Sequence, residues 1–184
     1  MMKFYLETER LILRDILPAD EEAFFEMDSN PDVHKYLGNN PVKSKEEICS
    51  VIEKIRQQYI DNGIGRWATI EKSTGTFIGW SGLKYITEAE GNRINYYDVG
   101  YRFHPEFWGK GYATESCKMA LKFGFSSMKL DEIIGTVNEE NIASRRVLQK
   151  CGLKYVEKFM WKNIKCDWMK ITKTEWEKQS DEFR

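Results

Sequence analysis

The order of the apolar patterns along this chain constrains its fold more than any other feature of the sequence. Between residues 66 and 103, three segments with strand patterns are separated by polar turns at 73–75 and 88–92, which predict hairpins. Beyond residue 110, helical patterns alternate with strand patterns. We predict strands at 66–71, 76–85, 93–103, 132–137, 153–159 and 166–172, and helices at 111–128 and 141–150. Hairpins followed by this alternation predict an α/β (α+β) fold, with a mixed, mainly antiparallel central sheet flanked by helices on both faces.

The first third of the chain predicts one strand and two helices. A strand is expected over residues 5–14, and a short helix follows from Leu17 to Met27. A second helix begins after Ser44, which is spaced to form a capping box with Glu47. Its apolar residues recur along one helix face until the polar residues 61–63 end it.

Length and charge limit the classes of protein to which the chain can belong. Its 184 residues, without an internal repeat or a linker, fit one domain over residues 1–174, followed by a polar tail, 175–184. A net charge of -1 does not favour nucleic acid as a partner. The sequence contains no apolar run of the roughly 20 residues that span a bilayer. Because Glu7, Glu9 and Arg10 interrupt the amino-terminal segment, it does not resemble a signal peptide. We therefore expect a cytoplasmic protein without a membrane partner.

The cysteines do not have the spacing of a metal site. The chain has four cysteines, none of them in a CxxC pair, and only two histidines. Scattered cysteines of this kind are typical of reduced cytosolic thiols, so we expect no zinc and no other bound metal. The positions concerned are Cys49, Cys117, Cys151 and Cys166.

The most informative segment is Val99–Glu115, in which a strand pattern runs through two glycines into an amphipathic helix. Gly109 and Gly111 allow a backbone conformation that brings several free N–H groups to the amino end of this helix. Such a point binds anions, most often phosphate. Lys110 can add charge and Thr114 a hydroxyl.

A tight strand–helix turn without a ligand would give the same two glycines, so the loop alone does not establish a phosphate site. Two familiar phosphate loops do not match. A Walker A loop requires a lysine directly after its last glycine, and Gly111 is followed by Tyr112. A dinucleotide fingerprint requires a third glycine, and position 114 is threonine.

The same loop resembles that of the GNAT superfamily of acyl-CoA-dependent N-acetyltransferases. The pyrophosphate loop of that family reads Gln/Arg-x-x-Gly-x-Gly/Ala, and residues 108–113 read Trp-Gly-Lys-Gly-Tyr-Ala. The opening tryptophan within WGKGYATE is similar to the RimJ/RimL branch. Further resemblance to this branch covers most of the chain, at residues 6–14, 30–37, 78–79, 99–101 and 141–153.

The resemblance implies acetyl-CoA as co-substrate and assigns residues to its binding. The loop residues would seat the diphosphate, backbone N–H groups near the end of the third hairpin strand would polarise the acetyl carbonyl, and two residues that begin the helix at 141–150 would lie beside pantetheine. The residues so assigned are Trp108, Gly109, Lys110, Gly111, Tyr112, Ala113, Thr114, Tyr101, Arg102, Phe103, Asn141 and Ser144. Without a ligand, Asn141 would be an ordinary helix cap.

The catalytic groups are less sharply defined than the cofactor loop. Asp98 is our candidate for the base that accepts the amine proton, with a structural ion pair as its alternative role and His104 as a rival. Many family members use a tyrosine seven residues after the helix-capping asparagine to protonate the thiolate, but this chain has Leu148 there. Ser144 is our substitute. In the absence of a Ser–His–Asp or Cys–His pattern, we expect direct transfer in a ternary complex.

The resemblance to the RimJ/RimL branch predicts the N-terminal α-amine of a protein or peptide as the acceptor. A small amine (an aminoglycoside, a polyamine or an amino acid) is the alternative, because one fold serves many acceptors. A CoA-binding module without turnover is a further alternative. The sequence is compatible with a homodimer.

Overall fold

The computed structural model describes residues 4–182, with side chains described through Gln179. Eight strands form one sheet in the order β1-β2-β3-β4-β5-β6-β8-β7, as a mixed sheet with the predicted antiparallel hairpins. The strands are β1 (Tyr5–Glu7), β2 (Leu11–Asp15), β3 (Trp67–Glu71), β4 (Phe77–Ile86), β5 (Tyr96–Phe103), β6 (Glu132–Asn138), β7 (Lys154–Trp161) and β8 (Ile164–Thr172). The helices are α1 (Glu21–Asp28), α2 (Pro31–His34), α3 (Lys45–Asp61), α4 (Tyr112–Ser126), α5 (Ile142–Lys150) and α6 (Lys173–Glu182).

Helices cover both faces of the sheet, as the sequence predicted. Neighbouring residues of a strand point to opposite faces, and Phe77 and Ile78 of β4 illustrate the two sides. Phe77 packs against Phe24 of α1, with ring centroids 5.9 Å apart. Ile78 instead clusters with Tyr112, the first residue of α4. The sheet therefore separates α1 from α4.

The prediction of a single first strand at 5–14 is wrong. The structure has a hairpin of β1 and β2 in which Leu6 pairs with Leu13. Thr8 closes its turn, because the Thr8 amide donates to the Leu11 carbonyl at 2.9 Å and the Leu11 amide donates to Thr8 Oγ1 at 3.0 Å. The alternating side chains on either side of the turn concealed it in the sequence.

The helix predicted after Ser44 is confirmed. The Glu47 amide donates to Ser44 Oγ, which is one of the two hydrogen bonds of a capping box, whereas the Glu47 carboxylate accepts from the Lys43 amide instead. Ile48 and Ile52 are buried in the main core. At the other end of the chain, α6 begins at Lys173, and its Trp176 stacks on Phe125 of α4 with ring centroids 5.4 Å apart.

Strands β5 and β6 are parallel neighbours that pair at one point, Asp98 with Ile134. By contrast, β5 pairs with β4 along its whole length, from Tyr96 to Phe103. Beyond Asp98, β5 and β6 therefore diverge, and a gap opens between their carboxyl ends. Both α4 and α5 begin near this gap, because each follows the carboxyl end of one of the two strands.

Among the described helices, none is both long and apolar enough to cross a membrane. All four cysteines lie within the described residues and are free thiols.

Candidate active site

The loop between β5 and α4 holds its two glycines in left-handed conformations. After a turn of 3₁₀ helix at Pro105–Phe107, Gly109 has φ of 75° and Gly111 has φ of 85°. The Trp108 indole N–H donates to the Phe103 carbonyl at 2.8 Å and fixes the start of the loop. A side chain at either glycine would strain the backbone, which explains why the sequence has glycine at both positions.

This conformation leaves a run of free amides at the amino end of α4. The first α-helical hydrogen bond joins the Glu115 amide to the Gly111 carbonyl, at 3.0 Å. Within the described chain, the amides of residues 109–114 have no backbone or side-chain acceptor. Gly109 has open space around it, since an added Cβ would meet nothing within 4 Å. Free amides at the positive end of a helix dipole form an anion site.

A contact between the amino-terminal hairpin and α4 fixes this loop. Glu115 accepts hydrogen bonds from Thr8 Oγ1 at 2.5 Å and from the Arg10 backbone amide at 2.9 Å, and its Oε2 lies 2.7 Å from the Arg10 guanidinium. Arg10 also donates to the Lys110 carbonyl at 3.0 Å. Burial opposes the charged form of Glu115, but the hydrogen bonds from Thr8 and Arg10 lower the pKa of this carboxyl overall. The loop is thus held by a carboxylate that stays ionised.

An open groove of about 620 Å³ lies beside the loop. Two of its lining side chains, Arg10 and Glu115, neutralise each other. The other cations of the groove are Lys118 on α4 and Lys150 at the end of α5, and neither forms an ion pair with any described side chain. Glu9 lines the groove as well, so three basic and two acidic side chains leave it a net charge of +1 next to the free amides.

The amino end of α5 faces the same side of β5 as the loop. Asn141 caps this helix, because its Oδ1 accepts from the Ser144 amide at 3.0 Å. The phenol oxygen of Tyr101, on β5, lies 3.0 Å from both the carbonyl oxygen and Oγ of Ser144. Ser144 is half-buried, so part of this residue is open to solvent or to a ligand.

Two amides of β5 point into the gap between β5 and β6. Amides alternate in direction along a strand, and the His104 amide donates to the Ile78 carbonyl of β4. The amides of Tyr101 and Phe103 therefore point away from β4, toward the gap, whereas that of Arg102 points toward β4. The Arg102 guanidinium pairs with Asp28 of α1 at 2.8 Å, on the opposite face of the sheet from Tyr101.

Asp98 lies on this opposite face and forms a buried ion pair with Arg66. Asp98 Oδ1 has no hydrogen-bond partner among the described residues. Burial raises the pKa of Asp98 above its ordinary value, although the neighbouring Arg66 charge opposes the shift. The Thr136 backbone also lowers the pKa of this carboxyl, but burial outweighs it, and a carboxyl with a raised pKa has the properties of a proton acceptor.

Other charged residues on the same face pair with one another around Trp80, and we call this cluster of Trp80, Arg66, Arg102, Asp28 and His34 the wall around Trp80. The guanidinium carbons of Arg66 and Arg102 lie 5.4 Å and 5.0 Å from the Trp80 ring centroid. His34 Nε2 lies 3.9 Å from Asp28, but burial, aided by the Arg102 charge, lowers the pKa of His34, so this imidazole is neutral near pH 7. The rival base, His104, contacts the Ala23 carbonyl through Nε2 at 3.0 Å and thus anchors α1.

Comparison with known proteins identifies the family. The family model for the acetyltransferase (GNAT) domain matches residues 10–154 of this chain. The chain belongs to the GNAT acetyltransferase family. The N-acetyltransferase YoaA of Bacillus subtilis is 32% identical, over 86% of this chain and 89% of its own.

One further relative of this acetyltransferase and one protein with the same fold have a ligand or an acceptor in their names. FsC-acetyl coenzyme A-N(2)-transacetylase of Aspergillus fumigatus is 30% identical, over 84% of this chain and 66% of its own. The spermidine N-acetyltransferase of Vibrio cholerae, solved in complex with CoA and spermine, has the same fold, with a TM-score of 0.72, 21% identity, and coverage of 92% of this chain and 99% of the other.

The structure brings most of the predicted site residues of this acetyltransferase to one face of the sheet. That face carries the loop 108–114, Tyr101, Asn141 and Ser144. Asp98 lies on the opposite face of the sheet. Sequence reasoning missed the contribution of Arg10 and Glu115, and also the two groove lysines. The residues of the first pair are 105 positions apart, so no local pattern could connect them.

The glycine conformation predicts how acetyl-CoA binding responds to substitution. Gly109→Ala adds a Cβ in open space but strains the left-handed backbone by roughly 1–2 kcal/mol. We expect the loop to relax, to turn its amides away from the ligand and to weaken acetyl-CoA binding about tenfold in calorimetric titration.

Gly63→Ala is the matched control, because Gly63 has a similar φ of 66°, also has open space around it and follows α3. The control variant should lose a similar free energy of unfolding and bind acetyl-CoA like the wild type. Equal affinities of the two variants would contradict a role for the loop conformation in binding.

Proposed function

We propose that this acetyltransferase transfers the acetyl group of acetyl-CoA to a primary α-amine, at the amino terminus of a peptide or protein, by direct attack in a ternary complex. The observation that carries the proposal is the run of free amides at residues 109–114, on the face of the sheet from which α4 and α5 flank the gap between β5 and β6. The amides suit a diphosphate, and the gap lets cofactor and amine meet from opposite faces.

The cofactor would lie along the face that carries α4 and α5. With its diphosphate on the amides of 109–114, its pantetheine arm would run past Asn141 and Ser144 to the gap. Coenzyme A also carries a 3′-phosphate, and the positive groove that contains Lys118 and Lys150 adjoins the same loop. The GNAT fold uses acetyl-CoA, which supports this arrangement.

The amine would approach from the face that carries Asp98. As its nitrogen attacks the acetyl carbon, a C–N bond forms, the carbonyl oxygen becomes negative, and the amides of Tyr101 and Phe103 are oriented to stabilise it. The C–S bond then breaks, and its electron pair leaves on the CoA sulfur, next to Ser144. Asp98 would accept the proton that the amine nitrogen loses.

The paired charges on the acceptor face favour an α-amine over a polyamine. Both buried acids, Asp28 and Asp98, already pair with arginines, so this face offers little free negative charge to a polycation. An α-amine has a pKa of about 8, against about 10.4 for a lysine amine, so a larger fraction is uncharged at neutral pH and needs only a weak base. The RimJ/RimL resemblance of the sequence agrees with this choice, and we place the enzyme in the cytoplasm.

A small-molecule amine is the second candidate acceptor. The 30% identical relative from Aspergillus fumigatus is named for acetyl transfer to an N(2) nitrogen and not to the amino terminus of a peptide, which favours this alternative.

A panel of amines tests the proposed function. We expect thiol release from acetyl-CoA to depend on added amine and kcat/KM to be highest for a short peptide with a free amino terminus. The same peptide blocked by formylation is the control and should be inactive. A preference for spermidine or for a free amino acid would show that the acceptor is a small molecule and not a peptide. Acetyl-CoA binding without amine-dependent release would indicate a binding module.

Asp98→Asn tests the proton acceptor. Because Asp98 must be deprotonated to act, wild-type kcat/KM should rise with pH through the raised pKa of this carboxyl. In the variant, this rise of kcat/KM with pH (the acidic limb of the profile) should disappear. Its rate should fall about 100-fold, which is typical of a lost general base. Its affinity for acetyl-CoA should not change.

Asp28→Asn is the matched control for Asp98→Asn, because it also removes a buried carboxylate that pairs with an arginine on the same face. The control should lose a similar amount of stability in thermal unfolding but keep the acidic limb. If Asp98→Asn keeps the limb as well, Asp98 is not the base.

The groove lysines predict selectivity for the 3′-phosphate. In the double variant Lys118→Ala, Lys150→Ala, we expect the KM of acetyl-CoA to rise about tenfold, since two charge-assisted contacts are lost. Dephospho-acetyl-CoA, which lacks this phosphate, should have a high KM with the wild type and the same KM with the variant. Lys122→Ala, one turn further along α4, removes the same charge outside the groove and should change neither value. Equal losses for both cofactors in the double variant would contradict this site.

A further inference from the structure

The buried side of α5 has no phenol that could serve the departing thiolate. At the seventh position after Asn141, Leu148 is 2% exposed and packs against Gly135 of β6. An added Cβ on Gly135 would come within 2.9 Å of the leucine, so this part of α5 is closely packed on the sheet. Stabilisation of the thiolate must come from another element.

Strand β5 brings a phenol to the same end of α5. The Tyr101 oxygen lies 3.0 Å from the Ser144 carbonyl oxygen and 3.0 Å from Ser144 Oγ. A phenol has one proton, so it can donate to only one of these acceptors at a time. When it donates to the carbonyl, its oxygen can accept the serine proton. When it donates to Oγ, the serine proton is free to point elsewhere.

We propose that Tyr101 is a positioning residue that directs the Ser144 hydroxyl toward the CoA sulfur. This inference rests on the proposed function. As the C–S bond breaks, negative charge develops on sulfur. The phenol O–H then turns its hydrogen bond from the Ser144 carbonyl oxygen to Ser144 Oγ, and the serine O–H turns to donate to the thiolate. Each of the two hydroxyls keeps its own proton throughout.

The proton balance is complete without ionisation of either hydroxyl. The amine nitrogen gives its proton to the base and then to solvent, while the electron pair of the C–S bond stays on sulfur. A thiol has an ordinary pKa of about 8.5, so its thiolate needs a hydrogen bond rather than full protonation in the site. The released CoA thiolate then takes a proton from solvent.

The surroundings of Tyr101 keep its phenol protonated, so that it can donate a hydrogen bond. Burial, together with the nearby thiols Cys117 and Cys151, raises the pKa of Tyr101 well above its ordinary value, although the Ser144 hydrogen bond opposes the shift. The phenol thus stays protonated across any practical assay pH. Loss of its O–H, rather than a change of pH, is the perturbation that tests its role.

Tyr101→Phe removes the O–H and keeps the packed ring. We expect kcat to fall about tenfold, with the KM of acetyl-CoA and its affinity in calorimetric titration unchanged, because the bond to sulfur matters only as charge develops there. The matched control is Tyr97→Phe. Tyr97 is on the same face of β5, packs its ring on Tyr85 at 4.8 Å and has no hydroxyl partner among the described residues. It should keep the wild-type kcat.

A double-mutant cycle separates positioning from packing. If Tyr101 acts through Ser144, the double variant Tyr101→Phe, Ser144→Ala should be no slower than Ser144→Ala alone. Multiplied losses, or a Tyr101→Phe variant with the wild-type kcat, would overturn this inference and leave the proposed function intact. A wild-type protein that releases no thiol with any amine would overturn both.

Discussion

The whole site depends on amides that the protein itself leaves without acceptors. Unsatisfied donors cost free energy, of the order of 1–3 kcal/mol each when they are buried, so a fold retains a run of them only at an exposed loop or at a ligand. Here the amides of residues 109–114 converge at the amino end of a long helix. Other parts of the structure hold that end in place: the left-handed glycines, the Glu115 contact with Thr8 and Arg10, and the close packing of Gly124 against the sheet.

Strand β5 divides the chemistry between two sides of the sheet. Because side chains alternate along a strand, Tyr101 faces the side on which we place the cofactor, while Asp98 and Arg102 face the side on which we place the acceptor. A shift of one residue in its pairing with β4 would exchange these sets, so the long register between β4 and β5 is a condition of function as well as of stability. Divergence from β6 after Asp98 then lets the two sides meet.

Local signals made most of the fold and the cofactor loop predictable. The Ser44 cap, the Asn141 cap and the glycines of the loop all act within a few residues, and the structure has each of them. The hairpin turn at Thr8 was missed because alternating side chains continue on both sides of it.

The remaining features come from contacts between residues that are distant in sequence. Arg66 pairs with Asp98 across 32 positions, and Tyr101 meets Ser144 across 43. Nothing near Asp98 in the sequence indicates that Arg66 is its partner. The role of Asp98 as a base therefore remains a prediction, and a purely structural ion pair with Arg66 is the alternative. The acceptor remains a prediction for a similar reason. The wall around Trp80 is assembled from separate strands and helices, and related enzymes with this fold differ in the amines they use.

The most direct test compares two donors in calorimetric titrations of the folded wild-type protein: acetyl-CoA and acetyl-pantetheine, which carries the same thioester without the diphosphate and nucleotide. If the free amides seat the diphosphate, acetyl-CoA should bind at least 100-fold more tightly than acetyl-pantetheine. Similar affinities for the two donors, or no heat with acetyl-CoA, would contradict the account.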